Sequence, residues 1–166
     1  MVAVGVLLRK IRAVGVDQPT GFVWVIPNRL AGSGFPASKR QVSWLGSHGV
    51  NSILTVMENP LPGGWLTSSI NYMHIPMQDH QPLGFDTMKS AAERIEEELD
   101  SGRVLLVHCQ AGRGRTMCAI GAYLIRSKGM SADEALAFLR KARPNAVERG
   151  QEPSLRDFAS MIHSKA

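Results

Sequence analysis

Several features that would set this protein apart from an ordinary globular domain are missing from its sequence. Cysteine occurs only twice in 166 residues, at Cys109 and Cys118, which is too few for a disulfide framework. Neither cysteine lies in a Cys-x-x-Cys or paired Cys/His pattern, so we expect no metal and no cofactor. No apolar run approaches the roughly 20 residues that span a bilayer. Together these absences favour a reduced, cytoplasmic setting.

Acidic residues are also scarce relative to basic ones. Lysine and arginine number 19 against 14 aspartates and glutamates, which gives a formal net charge of +5 and favours anionic partners. Hydrophobic residues make up 44% and charged residues 20% of the chain, the balance of a globular protein rather than of a disordered or fibrous one. The length favours a single domain, and we expect a monomer.

Residues 1–20 are interpreted as an N-terminal extension that precedes the folded domain. The chain starts with a short apolar stretch, and the basic residues Arg9, Lys10 and Arg12 follow it instead of preceding it. A secretory signal has the opposite order, so we expect neither a signal peptide nor an anchor. The turn-rich residues 17–21 close the extension.

Strands and helices alternate in the rest of the pattern. Strands are predicted at residues 22–26, 30–34, 52–57, 72–75 and 104–107. Helices are predicted to begin after Ser38, near Phe85, near Thr116, after the capping box Ser131–Glu134 and near Pro153. This order predicts an α/β domain whose central, mainly parallel, twisted sheet of four to five strands carries helices on both faces.

The helix near Phe85 has the clearest periodicity. Its apolar residues at positions 85, 88, 92, 95 and 99 share one face, and we predict that Glu93, Glu96, Glu97 and Glu98 lie on the opposite, solvated face.

The turn after residue 107 carries the most chemistry. It reads His108-Cys109-Gln110-Ala111-Gly112-Arg113-Gly114-Arg115-Thr116 and joins a predicted buried strand to a predicted helix. Ligands of such sheets bind beyond the carboxyl ends of the strands, where free N–H groups at a helix start point into the loop. The glycines allow the backbone to bend into an anion-binding nest, and Arg115 can direct two N–H groups onto one oxyanion. The turn therefore predicts a cradle for a tetrahedral dianion such as phosphate or vanadate.

Cys109 is predicted to lie at the floor of this cradle. A helix N-terminus and nearby cations favour the thiolate, so we expect Cys109 to accept the phosphoryl group covalently. The Thr116 hydroxyl is expected to donate a hydrogen bond to the sulfur, and His108 to bond the backbone near Cys109. A purely structural cysteine is the alternative, but a basic, glycine-rich loop is a poor place to bury one. Cys118 is interpreted as a small buried apolar residue.

The turn resembles the signature of the protein tyrosine phosphatase superfamily, specifically of small atypical dual-specificity phosphatases of the VHZ type and their archaeal relatives. The resemblance extends over about residues 21–164, because three further segments also match the family: residues 24–33, Ile75-Pro76 with Asp79, and residues 143–148. The resemblance implies the cysteine-phosphatase fold and a catalytic domain at residues 21–166. It also implies that substrate contacts come from His108, Gln110, Ala111, Gly112, Arg113, Gly114 and Glu148.

Cleavage of a phosphoester requires a proton for the leaving oxygen. Asp79 lies in a polar loop before the long helix and is the best candidate for this general acid, and for the base of the second step. Asp86 is the alternative, but it falls at the start of the helix, where a carboxylate is favoured for electrostatic reasons alone. His80 is expected to be solvent-exposed.

Two stretches depart from the family pattern. Met117 stands where the family usually has glycine, and Arg149-Gly150-Gln151-Glu152 replaces the usual Thr-Tyr-Glu-Gln. The second departure leaves open whether Glu148, Gln151 or Glu152 orients the hydrolytic water.

The resemblance implies a metal-independent phosphatase that acts on phosphotyrosine, and on phosphoserine or phosphothreonine, in proteins. The same chemistry on a phosphoinositide, another phospholipid or an RNA 5′ end is the alternative, motivated by Arg113 and the net charge. A stable nucleic-acid complex is not expected. A rhodanese-like sulfur transferase and a phosphate-binding pseudophosphatase are the remaining hypotheses, and intact Cys109, Arg115 and Asp79 argue against the latter.

Overall fold

A computed structural model describes residues 17–165. Five strands form one sheet with the order β1-β2-β5-β3-β4. They are β1 (Val23–Ile26), β2 (Leu30–Ser33), β3 (Ser52–Thr55), β4 (Asn71–His74) and β5 (Leu105–His108). Only the β1–β2 pair is antiparallel among these strands, and the other three pairs are parallel. The prediction of a mainly parallel sheet is therefore confirmed.

Five α-helices and one short 3-10 turn at Gly63–Trp65 connect the strands within the described residues. The helices are α1 (Lys39–Ser47), α2 (Phe85–Asp100), α3 (Arg115–Lys128), α4 (Ala132–Ala142) and α5 (Glu152–Ser164). The predicted local signals are present. The Ser38 hydroxyl accepts the Gln41 N–H at 3.2 Å, and Ser131 and Glu134 form the capping box of α4.

The sheet is covered on both faces because its central strands alternate between two apolar clusters. Leu105 and Val107 of β5 pack with residues of α2, α3, α4 and α5. Leu106, between them, packs on the other side with Val42 and Leu45 of α1. Successive side chains of a strand point to opposite faces, so a fully apolar strand such as β5 requires helices on both.

One prediction for α2 is wrong. Glu98 was expected on the solvated face, but only 7% of it is exposed. Its carboxylate accepts hydrogen bonds from the Ser52 hydroxyl at 2.6 Å and the Asn71 amide at 2.9 Å, and Arg103 lies 3.3 Å away. These partners stabilise the buried charge at the amino ends of β3 and β4, so helical periodicity alone misplaced it.

The predicted N-terminal extension lies largely outside the described residues, which begin at Asp17. Within residues 17–20, Pro19 is buried and the Thr20 carbonyl accepts the Gly34 N–H at 2.8 Å, so this part packs on the domain. The boundary at residue 20 stays a prediction. Between residues 17 and 165, no helix combines the length and the apolar character needed to cross a membrane.

Candidate active site

The predicted phosphate loop connects the carboxyl end of β5 to the start of α3. Strand β5 lies at the centre of the sheet, and its last residue, His108, is in register with Ser33 of β2 and Thr55 of β3. Helix α3 begins at Arg115, and its N-cap Gly114 provides no side-chain hydrogen bond. The N–H groups of the first turn are therefore open towards the loop.

The carbonyl groups of the loop are held from outside. Each carbonyl from residue 109 to 111, and those of residues 113 and 114, accepts a hydrogen bond. The donors are His108 Nδ1 to Cys109, Phe35 N to Gln110, Arg143 Nη2 to Ala111, Val147 N to Arg113 and Cys118 N to Gly114. Because the N–H of a trans peptide points opposite to its carbonyl, the N–H groups that follow these carbonyls are directed towards the inside of the loop.

Cys109 occupies the floor of the loop, as predicted. It is 2% exposed, and its Sγ accepts a hydrogen bond from the Gly112 N–H at 3.2 Å. Gly112 has φ +69, and a Cβ there would lie 2.3 Å from the carbonyl carbon of Ser33. Glycine is required at this position both for its left-handed conformation and for the close approach of the loop to β2.

Thr116 does not make the predicted bond. Its hydroxyl is buried and has no hydrogen-bond partner within residues 17–165, so the sulfur is bonded by a backbone amide and not by the threonine. An unpartnered buried hydroxyl beside the loop remains a donor for a species bound there.

The Arg115 guanidinium is buried and only partly satisfied. The residue is 2% exposed, and Nη1 donates to Glu58 Oε2 at 2.6 Å and to the Met77 carbonyl at 2.8 Å. Nη2 lies 3.3 Å from Asp79 Oδ2. Nε is buried and has no partner within the described residues. One edge of the guanidinium is therefore fixed by protein groups, and Nε remains a free buried donor.

Glu58 is a site residue that the sequence analysis missed. It follows β3 by three residues, and the rule that ligands bind beyond the carboxyl ends of strands would have identified it as a candidate. Its Oε1 accepts the Asp79 N–H at 2.8 Å while Oε2 bonds Arg115. Burial raises the pKa of Glu58, but hydrogen bonds from the backbone, Arg115 and the Asp79 amide outweigh it and hold the pKa below 4.5. Glu58 thus stays charged and joins the arginine to the acid loop.

Asp79 lies where the acid was predicted. Its carboxylate is 39% exposed and near Arg115, and it accepts the His80 N–H at 3.0 Å. His80 has φ +56, and its side chain is 74% exposed, as expected. Asp86 lies in the first turn of α2, in agreement with the interpretation of it as a helix-start carboxylate.

His108 holds the loop from inside the sheet. Nδ1 faces the Cys109 carbonyl at 3.3 Å, and Nε2 faces the Thr55 hydroxyl at 2.8 Å. These partners assign the tautomer with the proton on Nδ1, because a carbonyl only accepts. Complete burial lowers the pKa of His108 to about 4, so it is neutral at pH 7. The predicted bond to the backbone near Cys109 is confirmed.

The three residues considered for orienting water have different surroundings. Glu152 is bonded to Arg140 at 2.9 Å and to Arg156 at 2.8 Å. Glu148 is one-third exposed, with an oxygen 3.9 Å from Arg113. Gln151 is 2% exposed, and both polar atoms of its carboxamide are buried without a partner within residues 17–165. Its Oε1 also lies 2.2 Å from where a Cβ on Gly114 would stand, so the carboxamide packs on the phosphate loop.

The second cysteine is not part of the loop. Cys118 is fully buried in α3, and burial raises its pKa to about 12. It is therefore a neutral thiol in the core, as interpreted from the sequence. Between residues 17 and 165, no group of three or more His, Cys, Asp and Glu side chains is arranged to hold a metal ion.

The fold and the loop are those expected of a phosphatase domain, and comparisons with known proteins agree. A family model described as "PTP-SAK: Swiss Army Knife protein, DSP-PTPase phosphatase domain" matches residues 19–156. The chain therefore belongs to the dual-specificity branch of the protein tyrosine phosphatases, and it is a phosphatase domain.

Curated relatives are longer proteins. The chain is 29% identical over 134 residues to "Protein tyrosine phosphatase domain-containing protein 1" of Bos taurus, an alignment that covers 70% of this chain and 17% of that protein. It is 40% identical over 72 residues to the "Tyrosine-protein phosphatase CDC14 homolog" of Schizosaccharomyces pombe, covering 43% of this chain and 13% of that protein. The chain thus spans less than a fifth of the length of either relative.

Solved structures share the fold. "Tk-PTP in the active form" has a TM-score of 0.75 and 25% identity, covering 85% of this chain and 97% of that one. Human DUSP28 has a TM-score of 0.71 at 22% identity, covering 88% of this chain and 99% of that one. The predicted fold is confirmed.

Proposed function

We propose that this domain hydrolyses phosphotyrosine, and phosphoserine or phosphothreonine, in proteins through a cysteinyl-phosphate intermediate. Cys109 is the nucleophile, Arg115 and the loop amides bind the phosphoryl oxygens, and Asp79 is the general acid and base. The observation that carries the proposal is a sulfur that accepts the Gly112 N–H, in a loop that also contains a buried arginine whose Nε has no partner within residues 17–165. Such a site offers a dianion several donors that are already desolvated and oriented.

In the first step, the Cys109 thiolate attacks the phosphorus in line with the leaving oxygen. The S–P bond forms as the P–O bond to the alcohol breaks, and the electron pair of that bond goes to the ester oxygen. Asp79 donates its proton to this oxygen, so the products are a neutral alcohol, an Asp79 carboxylate and phosphocysteine. Arg115 and the amides stabilise the charge on the equatorial oxygens.

In the second step, a water oxygen attacks the phosphorus and gives its proton to Asp79. The S–P bond breaks, its electron pair returns to sulfur, and inorganic phosphate leaves. We assign the orientation of this water to Gln151. Its buried carboxamide, which packs on Gly114, has both a donor and an acceptor unused within the described residues. Glu152 is engaged by two arginines, and Glu148 is more exposed.

The proposed substrate class is supported by the length of the chain and by the relatives. The loop on which Asp79 lies covers residues 75–84 and the segment between α4 and α5 covers residues 143–151, which leaves no room for long recognition insertions there. Relatives that match the domain are named as tyrosine-protein phosphatases and as a dual specificity protein phosphatase.

Aryl phosphate hydrolysis with a chelator present tests the mechanism, because each proposed role has a matched variant in the same chain. Cys109→Ser is expected to lose turnover while it still binds vanadate, and Cys118→Ser is its control. Asp79→Asn is expected to slow turnover about a hundredfold or more, and Asp86→Asn is its control. Full activity of Cys109→Ser would show that the nucleophile is assigned wrongly.

A phosphoinositide is a second candidate substrate, which a cavity beside the loop favours because its lining has one more arginine than glutamates. This cavity of about 480 Å³ is lined by Arg113, Arg140 and Arg149, together with Glu148 and Glu152. Arg113 belongs to the phosphate loop itself, so a second phosphate on the same molecule would find a cation near the first. Turnover of phosphotyrosine and phosphothreonine peptides, phosphoinositides and 5′-triphosphate RNA, compared at equal concentration, distinguishes the classes. Transfer of sulfur from thiosulfate to cyanide would instead indicate a rhodanese-like transferase.

A further inference from the structure

The peptide unit between Ala111 and Gly112 is bonded at both ends. Its carbonyl oxygen accepts a hydrogen bond from Arg143 Nη2 at 3.3 Å. Its N–H donates to Cys109 Sγ at 3.2 Å. Because the peptide unit is planar, its carbonyl and its N–H turn together, and a rotation that frees one also displaces the other. The guanidinium of Arg143 and the sulfur of Cys109 are thus coupled through one rigid group.

The loop does not hold this plane by itself. Gly112 follows the plane, and glycine populates positive and negative φ with similar ease, so rotation of the peptide meets little steric resistance from side chains. The hydrogen bond from outside the loop therefore favours the orientation in which the N–H points to the sulfur, in addition to the packing of Gly112 on β2.

Arg143 is itself fixed at two further points. It is the C-cap of α4, where its N–H donates to the Leu139 carbonyl at 2.9 Å. Its Nη1 donates to the Gly21 carbonyl at 2.5 Å. The turn that contains Gly21 is tied to the end of β2, because the Thr20 carbonyl accepts the Gly34 N–H at 2.8 Å. The guanidinium thus links the N-terminal turn of the domain to the phosphate loop.

We propose that Arg143 is a positioning residue for the phosphatase reaction: its bond to the Ala111 carbonyl keeps the Gly112 N–H on the Cys109 sulfur and in the anion cradle. The proposal rests on the proposed role of Cys109 as nucleophile. An N–H donor to the sulfur stabilises the thiolate, and the same donor is part of the phosphate site. Loss of Arg143 therefore weakens both properties without touching substrate directly.

Two kinds of variant test the coupling. Arg143→Met removes the donor, and Arg143→Lys restores one positive donor without the fork. Gly21→Ala acts from the other side, because a Cβ there would lie 2.4 Å from Nη1 of Arg143 and displace the flexible guanidinium. Gly129→Ala is its matched control: Gly129 has φ +68 against +66 for Gly21, and nothing lies within 4 Å of its Cβ position among the described residues. Both alanines would have nearly the same left-handed φ, and only the one at position 21 would contact Arg143.

The main measurement is the rate of Cys109 alkylation by iodoacetamide as a function of pH. Inhibition by vanadate, and kcat and KM for an aryl phosphate, are measured on the same variants. For Arg143→Met and Gly21→Ala we expect the alkylation profile to move to higher pH. We also expect vanadate inhibition to weaken about tenfold or more, which corresponds to the loss of one hydrogen bond to a charged group. Arg143→Lys is expected to recover part of both effects, and Gly129→Ala to match the wild type.

The outcomes separate this proposal from the proposed function. If the wild type hydrolyses aryl phosphate and its alkylation profile is the same in Arg143→Met and Gly21→Ala, the coupling through the peptide plane is wrong. If the profile shifts but the wild type hydrolyses no phosphoester, the coupling of Arg143 to the Cys109 sulfur stands and the proposed function fails. If Arg143→Met does not fold, the comparison of Gly21→Ala with Gly129→Ala decides. An equal shift of the alkylation profile in these two variants overturns the proposal.

Discussion

The close approach of the phosphate loop to β2 can be tested by adding one methyl group. Gly112 has φ +69, and a Cβ built there would lie 2.3 Å from the carbonyl carbon of Ser33, 2.4 Å from its oxygen and 2.5 Å from the N of Gly34. All three atoms belong to backbone at the end of a central strand. Gly112→Ala therefore cannot be accommodated by turning a side chain, and the loop has to move away from the sheet.

The expected cost has two parts. A left-handed conformation costs a non-glycine residue about 1–2 kcal/mol. Overpacking against backbone adds about 1–3 kcal/mol. Gly129→Ala carries the first part alone, because Gly129 has φ +68 and open space around its Cβ position. We therefore expect Gly112→Ala to lower the free energy of unfolding by about 1–3 kcal/mol more than Gly129→Ala does.

Urea unfolding followed by tryptophan fluorescence measures this difference, and aryl phosphate hydrolysis measures its effect on the site. Gly112→Ala should lose activity at least tenfold even where it is fully folded, since the amide on the Cys109 sulfur moves with the loop. Gly129→Ala should keep its activity. Equal losses of unfolding free energy in the two variants, within about 0.5 kcal/mol, together with equal activities, would refute the close approach.

Three further predictions follow from other contacts. Hydrogen bonds hold the pKa of Glu58 below its ordinary value, so its ionised form stabilises the fold above that ordinary pKa, and the contribution is lost as pH falls through the lowered pKa. Urea unfolding should therefore show a difference between wild type and Glu58→Gln that is constant from pH 7 down to the ordinary glutamate pKa and shrinks below it. A difference that stays constant in the acid range would contradict this prediction. Burial raises the pKa of Cys118 to about 12, so Cys118 should not react with iodoacetamide at pH 7. Mass spectrometry of the native protein should find one modified thiol, and none in Cys109→Ser. Two modified thiols in the wild type would contradict the burial of Cys118. Glu98→Ala leaves buried donors unpaired and should lower the free energy of unfolding by about 1–3 kcal/mol. Glu97→Ala, at an exposed position of the same helix, should lower it little, and both variants should keep their activity. Equal losses of unfolding free energy in the two variants would contradict the buried network.

The phosphate loop could be predicted from sequence because all its parts are contiguous. A buried strand, a glycine-rich turn and a helix start follow one another from residue 105 to residue 116, so local geometry brings the sulfur, the amides and Arg115 together. The parallel sheet was predictable for a related reason, since fully apolar strands alternating with amphipathic helices bury their side chains in few other ways. The place of Asp79 in the loop before α2 made it the candidate general acid, and the structure puts its carboxylate 3.3 Å from Arg115.

Contacts between distant segments were decided by the tertiary structure alone. Glu58 meets Arg115 across 57 positions, and Arg143 reaches both Gly21 and Ala111. The proposal of Gln151 over Glu148 and Glu152 depends on which of these side chains other groups have already engaged. The burial of Glu98 depends on donors from two neighbouring strands. Hydrophobic periodicity and motif spacing report local geometry, whereas these side chains obtain their roles from partners that only the packing of the sheet and helices brings within reach.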